Sequence, residues 1–332
     1  MNRFIRLVAG LALILSVPAF CAAEDAPDLG DAEYLGMFAM PSADNSTDAG
    51  CTGTVTPCQD ITSASKVTGN LGIYDNGRYE KTAGALVVGD VYLGAGATSS
   101  IGGPAGSGGV LHPDTDLSQE LTASLQASLD AAGLTTTQAL GLVNNGFIDG
   151  DATNDNSRTL TGNGTLNVYS VTDLTLSGTH KLVLSGSPTE YFIFNITGDF
   201  TLTGSSGILV ADGTQIDHVL FNILGDGDLV NITSGGAGQV VDRGIYGTIL
   251  APDRDVRMHG RQIGAIFGND ISIGSGSFFL QDTFDGPNTP ETEPDPPPPG
   301  IIPEPGSFML LGMGLAGLGG FSRRRGLKAS SK

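Results

Sequence analysis

The stretch LTLSGTHKLVLSGSPTEYFIFNITGDFTLTGSSGILVADG, Leu174 to Gly213, decides the fold. Apolar and polar residues alternate along it in short runs, and Gly, Asn, Asp and Ser separate the runs. A period of two is the signature of β-strands, and glycine between runs marks corners. LTLSG (174–178) returns as LVLSG (182–186), and Phe194-Asn195-Ile196 returns as Phe221-Asn222-Ile223, 27 residues later. A recurring offset of that size predicts a β-solenoid, in which each coil buries its inner face only by stacking on its neighbours. A β-sandwich is the alternative. Its two-residue turns have candidates at Asn76-Gly77 and Asp212-Gly213, so the turn residues do not separate the two folds.

Working outward, the strand pattern runs from Leu160 to Phe279 and reappears upstream at Val67–Tyr74 and Ala83–Gly94. Between the two blocks lies the one convincing soluble helix, 116–133. Asp116 is its expected cap, with Gln119 as capping-box partner, and Gly133 suits its end. Leu117, Leu121, Leu125 and Leu129 form a stripe at four-residue spacing, expected to cover a face or open end of the sheets.

Both ends of the chain read as targeting signals. Arg3 and Arg6, an apolar run Leu7–Val17 and the small residues at Cys21-Ala22-Ala23 make 1–23 a signal peptide. At the other end, PNTPETEPDPPPPG (287–300) opens a stiff proline-rich linker, 287–301. It leads to a segment, 302–326, with three parts in fixed order: Pro303-Glu304-Pro305, an apolar run Phe308–Phe321, and Arg323-Arg324-Arg325. The run is a short membrane span whose arginines stay cytoplasmic, followed by a tail at 327–332. The mature domain is then 24–286.

The chain carries 35 acidic and 16 basic residues. Seven bases and one acid sit in the terminal signals, leaving 34 acids against nine bases, a net charge of −25. Such a field excludes nucleic acid as a partner. Fifty glycines and no tryptophan fit many short strands with tight corners. Cys51 and Cys58, six residues apart, are expected to pair once exported.

Familiar catalytic signatures are missing: no GxSxG, no P-loop, no dinucleotide fingerprint, and four histidines isolated in sequence. Asp253-Arg254-Asp255, Arg257, His259 and Arg261 could imitate the basic-and-acidic cluster of a polysaccharide lyase. A charged turn after GTILAP is the preferred reading. Asp149, Asp151 and Asp155 offer hard oxygen ligands for calcium, but the twelfth position of an EF-hand counted from Asp149 is Leu160, so a polar loop is preferred. No cofactor is otherwise expected.

Residues 302–325 resemble the PEP-CTERM sorting tail of exopolysaccharide-producing Gram-negative bacteria. That resemblance implies processing by an exosortase near Pro303-Glu304-Pro305. The ordered set VTGNLGIY (67–74), the helix, LNVYSVTDLTLSGTHKLVLSG (166–186), HVLFNI (218–223) and GTILAP (247–252) resembles the ice-binding-like β-solenoids of bacteria. YGTILAPDRDVRMHGRQIGAIFG (246–268) is similar to the related choice-of-anchor A domain. The resemblance implies a mainly β protein, a right-handed three-sided β-helix with one flanking α-helix. To this are added an N-terminal signal helix and a C-terminal transmembrane helix.

The expected role is structural or adhesive and non-enzymatic, at the outer surface or in the extracellular matrix, with the exosortase and exopolysaccharide or cell-surface glycans as partners. Ice binding is the alternative and a polysaccharide-acting enzyme the third reading. The Thr-x-Thr pairs at 52/54, 54/56, 135/137, 159/161 and 201/203 do not recur at one coil spacing, so no threonine ladder is legible.

Overall fold

The computed structural model of the protein describes residues 26–41, 57–102, 109–138, 157–225, 229–234 and 241–286. All lie in the first of the two units into which the chain divides, Met1–Asn288; the second, Thr289–Lys332, lies outside the described residues. So do 1–23, the linker and the sorting segment. Among the described residues, no helix is long and apolar enough to cross a membrane.

The fold is a three-sided stack of parallel strands. One sheet of nine strands (sheet A) and two of eight (sheets B and C) form its sides. Every ladder is parallel, so the sandwich alternative, which needs antiparallel hairpins, is excluded. The 27-residue offset is one coil: Phe194 pairs with Phe221 and Asn195 with Asn222 in sheet A. The near copies LTLSG and LVLSG are successive sides of one coil, in sheets B and C.

The chain does not climb the stack in order. Its first strand, Leu35–Ala39, lies in the middle of sheet A, between Ile266–Gly268 and Asn70–Ile73. From there the N-terminal strands build toward one end, finishing at Leu111–His112. The helix follows, and Ser157–Thr161 begins a second run at the opposite end. That run returns to the middle, where Phe278–Gln281 pairs with Lys66–Thr68 and Ile271–Ile273 with Cys58–Ile61. Stacking hides the break. One inward column, Tyr169, Phe194, Phe221, Ile249, Ile266, Met37, Leu71, Val91 and Leu111, passes in register through both runs. Its aromatic members stack, Tyr169 on Phe194 at 4.8 Å and Phe194 on Phe221 at 5.2 Å between centroids.

The helix, Ser118–Gly133, packs on the outer face of sheet A. The N-cap is Leu117, without a side-chain cap, and not Asp116 as expected; Asp116, one residue earlier, accepts the Ser118 N–H at 3.1 Å in a local Asx-type turn. The leucine stripe is corrected in its second half: Leu117 is buried and Leu121 packs against the same cluster, but the stripe does not continue. Leu125 and Leu129 are 40 % and 66 % exposed, and the buried side carries Glu120, Ser124, Ala127, Ser128 and Ala131. The reason is geometric. Sheet A already presents large residues there (Ile193, Leu220, Leu250, Phe267), so only a small-residue face lets the helix approach. Close approach brings the repeated asparagines into use: Asn195 Nδ2 donates to the Ala131 carbonyl at 2.6 Å and Asn222 Nδ2 to that of Ser128 at 2.9 Å.

Candidate functional site

With its inner face in the core and its outer face under the helix and the N-terminal segment, sheet A is closed. Sheets B and C keep their outer faces open, and these are the surfaces available to a ligand.

Sheet B divides into two halves. At one end, Thr175, Thr201 and Asn231 align in register, as do Thr203 and Thr233 beside them. A short threonine patch thus exists that sequence spacing did not reveal, because its coils differ in length. Beyond it the face turns charged: Arg257, Ser272, Asp60 and Glu80 continue the first column. Arg78 pairs with Glu80 across this surface. Burial, and then the neighbouring Glu80, hold the Asp60 carboxyl above its ordinary range.

Sheet C is different. Its eight strands contain no aspartate or glutamate. Arg261, Phe278 and Lys66 follow one another on adjacent strands. The Arg261 guanidinium lies 4.7 Å from the Phe278 ring centre and 6.0 Å from that of Tyr246, and Lys66 Nζ lies 5.8 Å from Phe278. Ile263 and Leu280 pair alongside them. Sequence reading missed this column. The signal was present in the alternation of Lys66-Val67-Thr68, Arg261-Gln262-Ile263 and Phe278-Phe279-Leu280.

The charged segment 253–261 does not form one site. Arg254 and Asp255 are buried at a corner, Arg257 faces outward from sheet B, His259 is exposed, and Arg261 belongs to sheet C. The histidines are equally dispersed: His112 stacks on Tyr92 at 4.7 Å and bonds Asp90, whereas His218 stacks on Tyr191 at 4.1 Å. Cys58 is buried and disulfide-bonded, while Cys51 lies outside the described residues. Asp149, Asp151, Asp155 and the sorting residues Pro303, Glu304, Pro305, Arg323, Arg324 and Arg325 also lie outside them. Among the described residues, no group of three or more His, Cys, Asp or Glu is arranged to hold a metal.

Three carboxyls sit where ionisation is costly. Asp270 is fully buried; desolvation, then nearby Asp255, push it up to about 7, against the Cys58 N–H that bonds its Oδ1 at 2.7 Å. Burial raises Asp282 to about 6 and Glu33 to about 7, with Asp217 adding to the first and Asp28 to the second. A carboxyl raised in the fold contributes stability that is complete below its ordinary value and lost as pH rises through the folded one. The melting temperature should therefore be highest near pH 4–5 and fall between about pH 6 and 8. Asp270→Asn keeps an acceptor for the Cys58 N–H and removes the charge. It should raise the melting temperature at pH 8 and leave it unchanged at pH 5; equal effects at both values would refute the assignment.

Two family models match the chain. That of the ice-binding-like adhesive domain spans residues 34–280, and that of the PEP-CTERM protein-sorting motif spans 302–325. The chain belongs to the ice-binding-like adhesive domain family. Solved structures share the fold of this adhesive domain at low identity. A glycosylated ice-binding protein from an Arctic yeast is 14 % identical, with 77 % of this chain and 94 % of that chain covered and a TM-score of 0.50. A Shewanella frigidimarina ice-binding protein is 20 % identical, with 77 % and 98 % covered and a TM-score of 0.47. No curated protein matches. The adhesive domain therefore accounts for the whole solenoid, and the sorting motif marks the chain for export and surface sorting.

Proposed function

We infer that the protein is a non-enzymatic adhesive component of the cell surface or extracellular matrix, delivered there by its sorting tail and processed by an exosortase. The observation that carries this reading is the contrast between the sealed outer face of sheet A and the two open faces of sheets B and C. A stack of parallel strands gives each open face a straight, rigid surface, which suits attachment to an extended ligand. Dispersal of the charged segment over two faces and a corner supports the absence of a catalytic centre.

The test is a cell carrying an exosortase and producing either the full chain or a variant lacking 34–280 with both terminal signals kept. Both should reach the surface, and only the full chain should promote attachment. Equal attachment by the two would end this reading.

The threonine patch favours ice as a second reading. It covers only one end of sheet B, and Arg257, Asp60 and Glu80 interrupt the face beyond it, so we expect the full chain not to inhibit ice recrystallisation. Clear inhibition, abolished by Thr201→Tyr with Thr203→Lys, would put ice binding first.

A further inference from the structure

We propose that the outer face of sheet C binds an acidic, uronate-bearing polysaccharide, with Tyr246 and Phe278 as stacking platforms and Arg261 and Lys66 as carboxylate partners. This rests on the adhesive reading and names the ligand class of one face.

The argument begins with charge. A mature chain of net charge −25 has nine bases to distribute, and three of them, Lys66, Lys181 and Arg261, stand at outward positions in the strands of the one open face that holds no acid. Neither Arg261 nor Lys66 has a carboxylate within ion-pair distance among the described residues. Arg261 Nε is buried without a hydrogen-bond partner. An arginine left unpaired in so acidic a protein is available to an external anion, and its planar fork suits a carboxylate.

The second part is shape. Arg261, Phe278 and Lys66 share one register on three consecutive strands, so cationic and aromatic groups succeed one another at a rung spacing of about 4.8 Å, and Tyr246, paired with Ile263, stands in the neighbouring column on the strand before. That spacing is close to the advance per sugar in an extended pyranose chain. Sugar rings present apolar C–H faces to aromatic rings, and uronic acids add a carboxylate per ring. Ile263 and Leu280 beside the column keep water from the stacked faces, which strengthens the ionic contacts. Asp282 lies past the far end of the Phe278 strand and Asp242 just before the Tyr246 strand, beside Arg243, so acids flank the column and none stands within it. A polycation fits the rest of this surface and not this column.

Binding of the full-length protein, purified in detergent, to immobilised polygalacturonate and to neutral dextran tests the proposal. Retention on polygalacturonate alone, weakened by added salt, is expected. Lys66→Gln with Arg261→Gln should weaken it by about tenfold or more, and Phe278→Ala by a similar factor. Asp60→Asn, on sheet B, should not change it. Melting curves for each variant separate lost binding from lost folding. The proposal fails if the double variant binds as tightly as the parent, if dextran is retained equally, or if the variants change only self-association. Attachment that disappears on deletion of 34–280, together with no binding to polygalacturonate, would remove this proposal and leave the adhesive reading standing.

Discussion

Gly264→Ala should be among the most damaging single methyl groups that can be added to this domain. The chain turns from sheet C into sheet A at Gly264 with φ +145°, a conformation that L side chains rarely adopt. A Cβ there would lie 2.0 Å from the Gly247 carbonyl oxygen and 2.4 Å from its carbon. That neighbour is backbone, and it cannot swing aside. Gly247 itself has φ +135°, and the same edge of the stack repeats the arrangement at Gly69 and Gly89, both at φ +142°. There a Cβ on Gly89 would lie 2.2 Å from the Gly69 carbonyl oxygen. The corner is thus a pile of glycines in contact, and its tightness sets the pitch of the stack.

Backbone strain of ~1–3 kcal/mol and overpacking of a similar size add at Gly264. We expect a loss of ~3 kcal/mol or more, which lowers the melting temperature by about 10 °C in a domain of this size. Gly133→Ala is the control, because its Cβ would meet nothing within 4 Å. It should leave the melting temperature unchanged or slightly raised. Similar losses at Gly133 and Gly264 would show that the corner contacts do not hold the stack.

Those glycines also show how much could be read from the chain. Period-two alternation in Phe200-Thr201-Leu202-Thr203 and its neighbours identifies strands with one face buried, and the 27-residue return of Phe-Asn-Ile identifies a coil. Coil length, however, is not conserved along the stack. Phe221 pairs with Ile249, 28 residues on, whereas Ile249 pairs with Ile266, only 17 on. A search for one repeat therefore finds a single pair of coils and loses the threonine patch on sheet B. The chain order was illegible for a different reason. Leu35–Ala39 contributes five buried residues to the middle of the stack, and nothing local distinguishes a strand that meets its neighbours across 34 residues from one that meets them across 229. The helix was legible and its buried side was not, because leucine spacing reports amphipathicity and cannot report that the opposing sheet is already filled.

Arg254→Ala should approach Gly264→Ala in severity, by a different route. Arg254 is 2 % exposed, and its guanidinium reaches back across two coils. Nη1 donates to the Gly198 carbonyl at 2.6 Å and Nη2 to those of Leu224 at 2.6 Å and Thr197 at 3.2 Å, while Nε donates to that of Gly225 at 3.1 Å. These carbonyls belong to the turns that follow the two Phe-Asn-Ile strands. At such a corner the sheet ladder has ended, so the backbone must find other donors or water. One arginine supplies them for two successive coils, and its planar fork fits the pile of carbonyls. Removing it strands several buried acceptors at ~1–3 kcal/mol each before relaxation. We expect a net loss of ~3–5 kcal/mol, close to that seen when a buried ionic group loses its partners.

Arg254→Lys retains the charge but offers a single nitrogen in place of the fork, so it should recover only part of the loss. Hydrogen exchange provides the decisive readout. The amides of Thr197, Gly198 and Leu224, bonded to the carbonyls of Val171, Thr172 and Ile196, should lose protection first, ahead of the sheet A amides under the helix. Uniform loss across the stack would mean that Arg254 acts on global stability and not on the corner. An unchanged melting temperature would mean that water replaces the guanidinium at no cost.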